Sequence, residues 1–184
     1  KKQAKKELSL NIPLSKESAT RTILDNAYRE GFDKLIVNFP GDEKVLTTIV
    51  NRFLLGFDLF PTKKNVYIIE SVSEPNYDNV EVILQRQFYV IEEILKQLGQ
   101  KDISELVFKV QKYDNFLKRC ISKNVLEIKS KENLWKFLSQ LTHICRLCLH
   151  FQKDIEDKLD KNTMSYIDEL IDMFKILKSS YLKI

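Results

Sequence analysis

The stretch ISELVFKVQKYDNFLKRCIS, residues 103–122, decides how the rest of the chain is read. Ile103, Leu106, Val107, Val110, Leu117 and Ile121 recur at helical spacings and share one face of an amphipathic helix. Asp114 interrupts that stripe, four residues after Val110 and three before Leu117. A carboxylate on a buried face requires a cation, a set of hydrogen-bond donors or a metal. Three outcomes are open: Asp114 pairs with a cation, binds a metal, or sits at the helix edge and reaches water.

Helical patterning continues on both sides. Upstream, about Asp78–Leu98 aligns Val80, Leu84, Phe88, Ile91, Leu95 and Leu98, and Leu98-Gly99-Gln100 joins this helix to the next. Downstream, about Lys131–Lys153 aligns Leu134, Leu138, Leu141, Cys145 and Cys148. About Thr163–Leu182 aligns Ile167, Leu170, Phe174, Leu177 and Tyr181. Each helix is roughly 20 residues, or about 30 Å, long. Short connectors predict an antiparallel four-helix bundle over residues 75–184.

The first part reads differently. Leu8, Leu10 and Ile12 alternate across Glu7–Ile12 and predict a strand ended by Pro13. A helix follows over Lys16–Glu30, with Ser15 as N-cap and Gly31 as the residue that closes it. Lys34–Phe39 is a more buried strand. Asp42 or Glu43 to Leu55 is a helix capped by Asp42. Phe57–Phe60 and Val66–Ser71 are strands around a turn at 61–65. The order β-α-β-α-β-β makes residues 7–72 a small α/β subdomain, so the fold class is mostly α with an N-terminal α/β part.

Formal net charge is +4, and Lys1, Lys2, Lys5 and Lys6 supply four positive charges with no acid among them, so the remainder is neutral. A basic tail on a neutral body is no footprint of a nucleic-acid-binding surface. No apolar run approaches the roughly 20 residues of a membrane span. Three cysteines, Cys120, Cys145 and Cys148, without framework spacing predict reduced thiols and a cytoplasmic protein. Nucleophile-elbow, Walker and His-Glu-x-x-His patterns are all lacking, so neither catalysis nor a cofactor is expected. Glu92-Glu93, beside Lys96, reads as a solvated face.

His143, Cys145, Cys148 and His150 have the composition of a zinc site. On one helix the two histidines share a face and the cysteines occupy another, so a single ion cannot reach all four. The cysteines read as core residues. Trp135 and Phe137 read as either core or interface; Trp135, next to the stripe residue Leu134, falls at the edge of the buried face, where aromatics mark contact with a homodimer copy or an adaptor's partner.

The segment Ile49–Asp58, the hairpin after it and Asn79–Leu95 resemble archaeal proteins of the PhoU family of phosphate-uptake regulators. In such proteins an AbrB-like DNA-binding hairpin domain precedes an α/β segment and a PhoU helical bundle. Arg86-Gln87-Phe88-Tyr89-Val90-Ile91 is similar to the family's first bundle helix, and Asp114-Asn115-Phe116-Leu117-Lys118-Arg119 to its second. The resemblance covers residues 30–155. It implies a non-enzymatic regulator whose partners are phosphate transport or sensing proteins, with DNA bound only through an AbrB-like part preceding Lys1.

The family's metal site uses acidic pairs four residues apart on two helices. Here Asp114 is followed by Lys118, and the second pair falls at Thr142 and Arg146. One carboxylate beside two cations is a poor donor set for a hard metal ion. The expectation is a degraded metal motif in which Asp114 pairs with Arg146 or Lys118.

Overall fold

The computed structural model describes residues 5–14, 16–72, 80–126, 130–154 and 159–182. The expected helical cap at Ser15 lies outside them. Six helices and four strands are present among the described residues. The strands are β1 (Glu7–Asn11), β2 (Lys34–Asn38), β3 (Phe57–Lys63) and β4 (Val66–Ser71). The helices are α1 (Glu17–Arg29), α2 (Glu43–Phe53), α3 (Val80–Gln97), α4 (Ser104–Ser122), α5 (Lys131–Asp154) and α6 (Lys161–Leu182). No described helix is long and apolar enough to cross a membrane.

The chain separates into two compact units. The first is residues 1–80 together with 115–131, and the second is residues 81–114 and 132–184. The split is not the expected one at residues 72–75, because α4 contributes to both: its first half to the helical unit, its second half to the α/β unit. Its composition accounts for this. All nine residues from Tyr113 to Ile121 are buried, so the second half of α4 is covered on every face rather than along one stripe.

In the first unit the sheet order is β1-β2-β4-β3. β1 and β2 are parallel, connected by α1, and β2–β4 and β4–β3 are antiparallel. Alternation sets the buried face. Leu35 pairs with Ile69 and Val37 with Tyr67, and all four are buried, as are Leu24, Tyr28, Leu46, Ile49 and Phe53 on the helices of the same unit. Gly31, at φ +87°, supplies the left-handed residue that closes α1. Asp42 caps α2 by accepting a hydrogen bond from the Lys44 backbone N–H at 2.9 Å.

The hairpin differs from the expected turn at 61–65. β3 runs on through Pro61 to Lys63 with a register shift, leaving Lys64-Asn65 as the turn, with Asn65 at φ +63°. β3 is an edge strand, where a missing N–H removes no interior ladder bond, so proline is tolerated.

In the second unit α3, the first half of α4, α5 and α6 share one core. Phe88, Ile91, Ile94, Val107, Val110, Leu141, Cys145, Ile167, Ile171 and Phe174 belong to it. The connector between α3 and α4 is held by Gln152 of α5, which donates to the Lys101 carbonyl at 2.7 Å and accepts from the Gly99 N–H at 3.4 Å. Gly99 sits at φ +74°, where a side chain is strained, and a Cβ there would lie 2.3 Å from the Leu159 side chain, which would have to shift.

Candidate functional site

α4 holds the charged and amide residues that most need explanation: Gln111, Asp114, Asn115, Lys118 and Arg119 are all buried. Buried polar groups of this kind require partners, and the partners define what the helix does in each unit.

In the first unit, Arg119 is 2% exposed. Its Nη1 donates to the Tyr28 carbonyl at 3.1 Å and the Phe32 carbonyl at 2.7 Å, and its Nη2 to Asp33 Oδ1 at 2.5 Å. The guanidinium also lies 5.0 Å from the ring centroids of both Tyr28 and Phe57, within cation–π reach. Lys123, just past the end of α4, pairs with the same carboxylate oxygen, while the Lys6 backbone N–H donates to Oδ2 at 3.1 Å. Burial alone would push the Asp33 carboxyl up. The Lys123 and Lys6 hydrogen bonds and the charges of Lys123 and Arg119 outweigh it and hold the carboxyl below its usual range.

One turn earlier, Asn115 makes a second set of buried bonds. Its Nδ2 donates to Asp25 Oδ1 at 3.0 Å and to the Phe53 carbonyl at 3.1 Å, and its Oδ1 accepts from Arg29 Nε at 2.7 Å. Arg21 lies 3.6 Å from the other Asp25 oxygen and stacks over Phe53. Asn115 and Arg119, four apart, thus present one polar face of α4 to groups on α1, the end of α2 and the Phe32-Asp33 segment before β2. The sequence alone assigns neither residue a structural role. Their signal in the sequence is a pair of polar residues at i,i+4, each immediately before an apolar position, Phe116 and Cys120.

In the second unit, Asp114 has no measurable exposure, so it does not reach water at a helix edge. Thr142, expected at the second half of the degraded motif, is buried on α5; Lys118, expected beside Asp114, belongs to the first unit and is buried there. Arg146 is exposed, which does not favour the expected Asp114–Arg146 pair: the geometry keeps α5 position 146 on the solvent side of its helix. Asp114 raises the Cys145 thiol pKa through its charge, a smaller effect than burial, so α5 passes near it. Gln87 Oε1 and Nε2, Gln111 Oε1 and Thr142 Oγ1 are buried without a hydrogen-bond partner among the described residues.

The metal and nucleophile candidates resolve by burial. His143 and His150 are exposed, whereas Cys145 and Cys148 are buried, so the four do not converge. Among the described residues no three His, Cys, Asp or Glu side chains are grouped to hold a metal ion. Burial pushes the Cys120 thiol up to about 12, and those of Cys145 and Cys148 upward as well, leaving protonated, unreactive sulfur.

One surface expectation is corrected, and one open alternative is resolved. Glu92 is buried, not solvated: Lys178 from α6 and Lys96 both pair with it, and their hydrogen bonds hold its carboxyl below the usual range. Phe137 faces inward, stacked on Tyr181 at 4.9 Å between centroids and 6.1 Å from Phe88, because the core of this unit is completed by aromatic residues near the end of α6. Trp135 is half-buried.

No family model, curated protein or solved structure matches the chain.

Proposed function

We propose that the chain is a non-enzymatic regulator or adaptor that acts by holding protein partners, on the pattern of the PhoU regulators it resembles. The observation that carries this reading is the outer face of α5, where Leu147 and Phe151, four residues apart, are exposed beside His143, Arg146 and His150. Single exposed apolar residues are ordinary, but pairs at helical spacing on a polar-rimmed face mark contact surfaces. The interior polar groups of the first unit support the same reading, since Arg119, Asp33, Asn115 and Asp25 are spent on bonds that hold the fold.

Two finer points belong to this reading. α3 to α6 form an antiparallel four-helix bundle, which the core shared by all four helices supports. Asp114 is held by a cation in place of the metal that PhoU proteins hold, a reading that its complete burial supports.

The test is affinity capture from cells grown in high and low phosphate, using the intact chain and a Leu147→Asp/Phe151→Asp variant. The reading predicts a transport or sensing protein that is captured by the intact chain, lost with the variant and altered by phosphate supply. Capture that depends on the patch but not on phosphate would leave an interaction module with no phosphate link. Capture indifferent to the patch would overturn the reading itself.

A further inference from the structure

The outer face of α5 carries a charge pattern as well as its two apolar side chains. Between Asn133 and Lys153 the helix has no acidic residue; its acids, Glu132 and Asp154, stand at its two ends. Lys136, Gln140, His143, Leu147 and His150 follow one another at spacings of four, three, four and three, so they form one lengthwise seam, with Phe151 beside it. The other five lie within roughly 60° of Leu147, and Arg146 flanks them. All are exposed, Leu147 at 53% and Phe151 at 38%.

The cations of this face are not spent on the fold. Among the described residues Lys136 and Arg146 have neither an ion pair nor a hydrogen bond, and both lie on or beside the apolar pair rather than behind it. Lys153 lies farther round, where its charge acts on Asp102, so it adds nothing here.

Charge selects the occupant. A second copy would set Lys136 and Arg146 against their like, and like charges facing across an interface are costly. Nucleic acid is held through many phosphate contacts, for which two fixed cations are too few. A helix laid along the seam fits both features. Apolar residues four apart would meet Leu147 and Phe151, and carboxylates on either side would accept from Lys136, His143, Arg146 and His150.

We infer that the outer face of α5 docks an acidic amphipathic helix of another protein, anchored on Leu147 and Phe151 and paired with Lys136 and Arg146. The inference rests on the regulator reading, whose contact surface it shares, and adds the chemistry of the partner.

The test is selection of binders to the intact chain from a library of random helical peptides of about 20 residues, the length of one such helix. Selected peptides are then titrated against the intact chain, Leu147→Asp/Phe151→Asp and Lys136→Glu/Arg146→Glu. All four positions are exposed, so both variants should keep the wild-type circular dichroism spectrum. The peptides lost with Leu147→Asp/Phe151→Asp should be acidic, with apolar residues four apart. Lys136→Glu/Arg146→Glu should weaken them about tenfold, and raised salt should weaken them too. Selection against that charge-reversed variant should enrich basic peptides instead. Patch-dependent peptides that are neutral or basic would overturn the inference and leave the contact surface standing. Absence of any patch-dependent peptide would overturn the contact surface as well. Patch-dependent binding to phosphatidylserine vesicles would overturn the inference in favour of a lipid surface.

Discussion

Arg119 on α4 and Asp33, the residue just before β2, meet at 2.5 Å with neither side chain appreciably exposed. They are 86 positions apart in the chain, so this pair closes a long loop. Asn115 and Asp25 do the same one turn earlier, over 90 positions. The second half of α4 belongs to the α/β unit because these bonds satisfy groups that burial would otherwise leave orphaned.

Asn115 is the sharper probe of side-chain identity. Asn115→Ala removes three hydrogen bonds and should destabilise the fold by about 1–3 kcal/mol in urea denaturation. Asn115→Asp is nearly isosteric, yet it cannot donate and sets a second carboxylate against Asp25. It should cost at least as much at neutral pH, and a milder effect than that of Asn115→Ala would mean that the Asp25 contact is misassigned.

Asp33 also fixes a pH dependence. Its folded-state pKa is depressed, so the unfolded chain binds more protons as pH falls. The associated stability is fully present above the unfolded value of about 3.9 and is lost as pH drops through the lower folded value. Asp33→Asn lacks this proton uptake. The stability gap between wild type and Asp33→Asn should therefore be wide at neutral pH and narrow steadily on acidification below about pH 4. A gap that stays constant across an acid titration would show that Asp33 is not ionised in the folded state.

Much of this architecture is legible in the residues themselves. The alternation of Leu8, Leu10 and Ile12, the Asp42 cap and the Gly31 stop predict β1, α2 and the end of α1 within a residue or two, because these signals are local. Pro61 misleads, since whether a strand tolerates proline depends on its place at the sheet edge, which no neighbouring residue encodes. The Asp114 anomaly is visible as a break in a period. The roles of Asn115 and Arg119 are not, because their partners on α1, α2 and the segment before β2 are set by tertiary packing. The Glu92–Lys178 pair is hidden for the same reason.

The thiols give a chemical test of the interior. Cys120, Cys145 and Cys148 are buried with pKa values pushed upward. In the native chain all three should react with an aromatic disulfide reagent orders of magnitude more slowly than free cysteine, and all three should react promptly in denaturant. A fast native thiol would identify a cysteine that is either exposed or activated by a neighbouring cation.

Thr142 and Gln87 test the orphaned polar atoms of the helical unit. Thr142→Val and Gln87→Met keep shape while removing buried groups that have no partner among the described residues. Each should be neutral or stabilising by up to about 1 kcal/mol. A loss above about 1 kcal/mol at either position would reveal a partner held there, such as an ordered water.

The central claim is that the second half of α4 is bonded into the α/β unit through Arg119 and Asp33, and a double-mutant cycle tests it most directly. Arg119→Met, Asp33→Asn and the double variant would be unfolded in urea at pH 7. The account predicts that each single change costs about 3–5 kcal/mol, with Arg119→Met the larger because the Tyr28 and Phe32 carbonyls also lose their donor. It further predicts that the double variant costs at least about 1 kcal/mol less than the sum of the two. Additive losses, or single losses within about 0.5 kcal/mol of zero, would contradict it.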